Sequence, residues 1–226
     1  MNAVVYHSNT GQSKRVAEYI ADITAFELYD IFDLSEYVFD TAILVFPVHC
    51  QGVPAHVKEF LARLSAKNLV VIATYGRMCC GNALNYIQRR YRHNIIAAAY
   101  VPTKHSYLRE DGFDDFERLN AIADKLNNPT PVKIPRRYKN PLSDFCKGLR
   151  SRIGVKMFKD ECCNNCGQCS EVCNNNAIKN GKTNRNCIRC LKCVKECPNK
   201  AIRFELRLPM RIYLKKKKHN HLIMYV

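Results

Sequence analysis

Residues 163–198 read CNNCGQCSEVCNNNAIKNGKTNRNCIRCLKCVKECP, and this stretch decides what the second half of the chain is. Two sets of four cysteines share the spacing C-x2-C-x2-C-x3-C: Cys163, Cys166, Cys169, Cys173, then Cys187, Cys190, Cys193, Cys197, the last followed by Pro198. The sets lie 24 residues apart, and AIKNGK after the first is echoed by AIRFEL after the second, so the segment is an internal repeat.

Three thiolates at i, i+3 and i+6 on a tight loop can grip three irons of a cubane, while the fourth, on a following short helix, points elsewhere. Crossing the fourth ligands assigns Cys163, Cys166, Cys169 and Cys197 to one [4Fe-4S] cluster, and Cys187, Cys190, Cys193 and Cys173 to another. Zinc is the competing reading. Structural zinc takes four ligands from two C-x2-4-C knuckles, and a third cysteine at x2 is foreign to it. Cys162 is a spare in either case. Over about 45 residues the segment resembles the bacterial two-cluster ferredoxins, with one departure: Cys173 is followed by Asn174, where that family has proline. The loss of proline bears on sulfur hydrogen bonding rather than on the ligand set.

Outward from this module the composition is ordinary for a globular protein, with 47% hydrophobic and 25% charged residues, which excludes wholesale disorder. Of the thirteen cysteines only Cys50, Cys79 and Cys80 lie outside residues 146–197. The longest wholly apolar run, Ile95 to Val101, is far shorter than the roughly 20 residues of a spanning helix. With no leader pattern at Met1 to Tyr6, the expected location is the cytoplasm, where dense cysteine argues for metal or redox chemistry rather than disulfides. Charge is lopsided: residues 1–130 hold 13 Lys+Arg against 14 Asp+Glu, which leaves 23 against 6 for residues 131–226.

Residues 1–127 alternate short apolar runs with amphipathic stretches. Strands are expected at Ala3–His7, Phe26–Ile31, Thr41–Phe46, Leu69–Thr74 and Ile95–Val101. Helices are expected at Gly11–Ala21, Pro54–Leu64, Asn82–Tyr91, and from Asp114, with Glu117 completing a capping box, to Leu126. Connections too long for hairpins make this an α/β doubly wound, five-stranded parallel sheet. Residues 128–158 are then a proline-rich and basic linker and arm, weakly helical over Pro141–Phe158. Residues 159–204 are a small α+β ferredoxin domain, and 205–226 a basic tail.

The first strand runs into His7-Ser8-Asn9-Thr10-Gly11-Gln12-Ser13 just before the first helix. Hydroxyls, amides and free N–H groups at a helix N-terminus cradle a phosphate, although a plain helix cap reads the same way. No Walker A or dinucleotide fingerprint is present, leaving a mononucleotide. Strands three and four end in FPVHCQGVP and TYGRMCCG, on the same sheet edge.

These three loops make residues 1–127 similar to a flavodoxin-type domain. Joined to the cysteine module, the chain over residues 1–204 resembles the flavodoxin–ferredoxin fusions called EFR1-type ferredoxins, most closely in FPVHCQGVPAHVKEFL and TYG. The resemblance implies FMN. Its phosphate would lie on Ser8, Asn9, Thr10, Gly11, Gln12 and Ser13, and its ring against Pro47, His49, Gly52, Thr74, Tyr75 and Gly76. It implies an electron-transfer protein, a carrier or a small flavin-linked oxidoreductase, joining FMN and two [4Fe-4S] clusters to a redox protein partner, for which the basic half favours an acidic one. The alternative keeps the clusters and makes the first domain a flavin-free docking or sensing module. A third reading takes the basic half as a nucleic-acid or membrane-surface binder. Poor aromatic interleaving speaks against nucleic acid, and Lys215–Lys218 reads as a solvated tail.

Overall fold

The computed structural model describes residues 1–108, 113–138, 140 and 147–226, and for 147–150 the backbone only. The chain forms two units: residues 1–140 with 218–226, and residues 141–217.

In the first unit, β1 (Asn2–Tyr6), β2 (Glu27–Asp30), β3 (Val38–Pro47), β4 (Ser65–Tyr75) and β5 (Ile95–Pro102) lie parallel, and β10 (Ile223–Tyr225) adds a sixth, antiparallel strand. The order is β10-β5-β4-β3-β1-β2. The central strands read as continuous apolar runs because both faces are covered. On one face Val4, Ile43, Val70 and Ile96 pack under α1 (Gln12–Thr24) and α4 (Asn120–Leu126). On the other Ala3, Leu44, Val71 and Tyr100 pack under α2 (Ala55–Arg63) and α3 (Ala83–Arg90). Chain order reverses direction at β1, so the loops after β1 and β3 diverge and open a crevice at the strands' carboxyl ends.

The doubly wound parallel sheet is as the sequence implies, with three differences of detail. The capping box at Asp114 does not form, because Asp114 pairs with Arg15 at 2.5 Å, and the helix begins instead as a 3-10 turn at Glu117–Leu119. Residues 205–226 do not act as one tail: Ile202–Leu206 is strand β9, Leu208–Leu214 is helix α8, and β10 returns to the first unit beside β5. The proline-rich arm is bonded to the first unit. Gln88 takes Ile134 N–H and donates to Val132 C=O, while Asn85 donates to Ile134 C=O and Asn82 accepts from Arg137 N–H. Side-chain amides thus satisfy a backbone that its prolines bar from a sheet.

In the second unit α5 (Lys147–Gly154) passes directly into β6 (Val155–Lys159), so the helix expected through Phe158 stops earlier; residues 141–146 of that expectation lie outside the described residues. Strand β6 pairs antiparallel with β9, and the hairpin β7 (Ile178–Lys179) and β8 (Lys182–Thr183) joins the two halves of the repeat. Helices α6 (Gln168–Glu171) and α7 (Lys192–Lys195) sit at equivalent places 24 residues apart. Among the described residues no helix is long and apolar enough to cross a membrane.

Candidate functional site

The cysteine repeat is a backbone repeat as well. Left-handed residues recur at the same 24-residue offset: Asn165 and Arg189 (φ 58° and 60°), Gly167 and Leu191 (85° and 66°), Asn176 and Lys200 (48° and 50°). Asparagine and glycine tolerate this region; arginine, leucine and lysine do so only where the surroundings over-determine it. Arg189 is held by its own guanidinium, with Nε on Val155 C=O at 3.1 Å and an Nη on Thr183 Oγ1 at 3.0 Å. The fourth cysteines share a further feature. Ala177 N–H donates to Cys173 Sγ and Ala201 N–H to Cys197 Sγ, both at 3.3 Å.

Cys163, Cys166 and Cys169 line one open pocket together with Cys197, and Gly181 forms part of its wall. Cys173 does not line this pocket; it stands among the second set. Burial first, then the neighbouring Cys190, Cys187, Cys173 and Cys169, pushes the Cys193 thiol up to about 12, and burial also raises Cys190, with Cys187 and Cys173 contributing. Metal-free, such thiols hold their protons, and a metal must displace them to bind. Among the described residues no three His, Cys, Asp or Glu side chains converge on a single ion. Cys163, Cys166, Cys169 and Cys197 rim a space rather than a point, which suits a cubane. Asn174 Nδ2 is buried without a protein acceptor while its Oδ1 accepts from Lys192 Nζ at 3.5 Å. A buried donor beside Cys173 fits a sulfur-rich occupant. Cys162 turns away, its thiol toward Asn199 C=O at 3.6 Å.

In the first unit Gly11 (φ 86°) caps α1 with no side-chain bond, and its own N–H goes to Ser8 Oγ at 3.1 Å. The N–H groups of Gln12, Ser13 and Lys14 have no protein acceptor among the described residues, and the first turn carries no acid. Asn9 and Gln12 flank this cradle half-buried, while Thr10 Oγ1 lies 3.4 Å from Ser106 Oγ. Ser13 is committed to the fold: its buried hydroxyl meets Thr74 Oγ1 at 2.8 Å, and Thr74 in turn donates to Phe46 C=O.

Pro47 ends β3 opposite Thr74, and Val48 N–H donates to Thr74 C=O. His49 and Gly52 then close a two-residue turn in which Cys50 (φ 48°) and Gln51 (φ 62°) are both left-handed, a conformation that favours Asn-Gly. The turn is pinned by Gly81, where an added Cβ would sit 2.4 Å from Gln51 C=O. Gly76 packs equally closely on His105, whose imidazole burial and Lys218 hold down to about 4. Tyr75 is 3% exposed, and its hydroxyl donates to the carbonyls of His221 (2.8 Å) and His219 (3.3 Å). Its ring is therefore shut under the residues leading to β10. Sequence reasoning used the loops after β1, β3 and β4 and missed the loop after β5, which brings His105 and Ser106 to the same edge. Position after a fifth parallel strand was the available signal.

Residues 184–203, which include Cys187, Cys190, Cys193 and Cys197, match the Fer4 family model, described as a 4Fe-4S binding domain. The match supports at least one [4Fe-4S] cluster and an electron-transfer role. No curated protein sequence matches the chain. Solved structures similar to it include a putative flavoprotein from Bacteroides uniformis (18% identity, TM-score 0.40, covering 46% of this chain and 91% of that one). Another is a flavodoxin from Streptococcus pneumonia TIGR4 (17%, 0.43, 56% and 97%), and a third the Trp repressor binding protein from Bacillus subtilis (14%, 0.34, 56% and 97%). The fold assignment rests on strand order and direction rather than on these distant likenesses.

Proposed function

We propose that the chain is an iron-sulfur flavoprotein of the EFR1-type fusion family, carrying electrons between FMN, two [4Fe-4S] clusters and a separate redox partner. Bound cubanes and flavin supply one-electron chemistry, and flavin can take a second electron. The observation that carries the reading is the single pocket shared by Cys163, Cys166, Cys169 and Cys197, a set that no zinc knuckle pairs in this way.

The protein's own residues hold and tune. Ala177 N–H and Ala201 N–H offset charge on the Cys173 and Cys197 thiolates, and Asn174 Nδ2 offers another donor. Burial of Cys169, Cys187 and Cys193 works in the opposite sense by disfavouring added charge. At the sheet edge, the unshared N–H groups at Gln12, Ser13 and Lys14 and the hydroxyls of Ser8 and Thr10 would hold the FMN phosphate. The ring would lie against Pro47, the His49–Gly52 turn and the backbone at Gly76.

Tyr75 favours the second reading, a flavin-free first domain, because its ring is already covered. One experiment separates the two. Anaerobically purified protein, reduced with dithionite, should give an S = 1/2 EPR signal, and denaturation should release about one FMN per chain. Signal without FMN leaves the flavin-free reading, and no reducible iron in loaded protein removes both.

A further inference from the structure

The geometry points to α8 and the lysines after it as a docking surface for an anionic lipid bilayer. The sequence 207–218 reads RLPMRIYLKKKK, with six cations and no acid, and no Asp or Glu occurs from Leu206 to Val226. Read as a solvated tail these cations need no explanation, but residues 208–214 are a helix with a defined inner and outer side.

Arg207 N–H on Gly154 C=O at 2.9 Å fixes where the helix starts. Met210 packs on Gly154, where a Cβ would come within 3.0 Å of its Cε, and Leu214 is buried. Those residues define the inner side. The outer side then carries Leu208 (66% exposed) and Ile212 (56%), four apart on one line, with Ile153 of α5 also exposed. Arg211 and Lys215 flank that line, and Arg207 and Lys215–Lys217 are exposed with no acidic partner among the described residues.

Two large apolar side chains exposed on one side of a helix, flanked by cations, differ from the desolvated pockets in which protein hot spots cluster. They match a planar surface, in which apolar groups enter the acyl boundary while lysines and arginines meet phosphate headgroups. Nucleic acid would use the cations but gains nothing from Leu208 and Ile212. This surface is independent of the electron-transfer reading, since it rests on no cofactor.

The test is co-sedimentation of the loaded full chain with vesicles of phosphatidylcholine, with and without about 40 mol% phosphatidylglycerol. Binding should need phosphatidylglycerol and weaken about tenfold or more between low and moderate salt. The exposed pair Leu208→Ser with Ile212→Ser should weaken it about tenfold with unchanged cluster absorbance, as should Lys215→Gln with Lys216→Gln and Lys217→Gln. Absence of vesicle binding overturns the proposal, whether or not a DNA duplex or an acidic protein binds instead. Vesicle binding that ignores the Leu208 and Ile212 changes overturns it too, because charge alone would then account for it.

Discussion

Replacing Gly81 with alanine tests how the sheet-edge loops are held. Gly81 has φ +63°, and an added Cβ would lie 2.4 Å from Gln51 C=O and 2.7 Å from its Cβ, against the 3.4 Å at which ordinary contact begins. The obstacle is backbone, so no rotamer change relieves it, and the His49–Gly52 turn must retreat by about 1 Å. Alanine at positive φ costs about 1 kcal/mol relative to glycine, and overpacking a fixed neighbour adds about 1–3 kcal/mol, for a total of about 2–4 kcal/mol. Gly181→Ala supplies the comparison: φ is +77°, but the atoms met are mainly the far side-chain carbons of Lys159, so only the backbone part, about 1 kcal/mol, applies. Urea denaturation of the full chain, followed by far-UV circular dichroism, gives the cost of each change. Quenching of FMN fluorescence in a titration gives the effect on binding, which a 1 Å retreat of the turn should weaken by at least about tenfold. A Gly81→Ala protein that loses no more than about 1 kcal/mol and binds FMN as before would refute both the packing argument and the placement of the ring against this turn.

Further outcomes follow from the same geometry. His105 has a folded pKa of about 4 against an unfolded value near 6.5, so its contribution is fully present above pH 6.5 and is lost as pH falls toward 4; urea unfolding should show a loss of about 2 kcal/mol between pH 7.5 and 5, which His105→Gln abolishes, and an unchanged slope in that variant would assign the effect elsewhere. Asn174→Ala removes a donor worth about 1 kcal/mol to a reduced cluster, so an EPR-monitored redox titration should find one cluster about 40 mV lower and the other unmoved. Lys200→Gly relieves a strained, exposed position (φ 50°) and should slow chelator-driven bleaching by about 0.5–1 kcal/mol of stability; Leu191→Gly relieves similar strain but gives up a buried side chain and should bleach faster.

The sequence made the sheet legible because β1, β4 and β5 are buried on both faces, and each is a run of Val, Ile, Leu and Ala long enough to outweigh local ambiguity. The cysteine module was legible for a different reason: ligand spacing is set by covalent geometry, and the repeat states it twice. What escaped reading were elements whose stability comes from distant contacts. Strand β10 has only Ile223, Met224 and Tyr225 and follows a lysine run, so nothing local announces that Tyr100, Ala99 and Ala98 will pair with it. The first turn of α4 lost its capping box to an ion pair with Arg15, a competition across a hundred residues. Tyr75 read as a ring-facing aromatic from its loop alone, and only the carbonyls of His219 and His221 reveal that it is used inside the fold.

Iron and acid-labile sulfide counted per chain in anaerobically reconstituted protein, with zinc measured on the same sample, bear most directly on the central claim. Two cubanes on Cys163, Cys166, Cys169, Cys197 and on Cys187, Cys190, Cys193, Cys173 predict about eight of each and no stoichiometric zinc. Zinc in place of iron, or iron without sulfide, would contradict it.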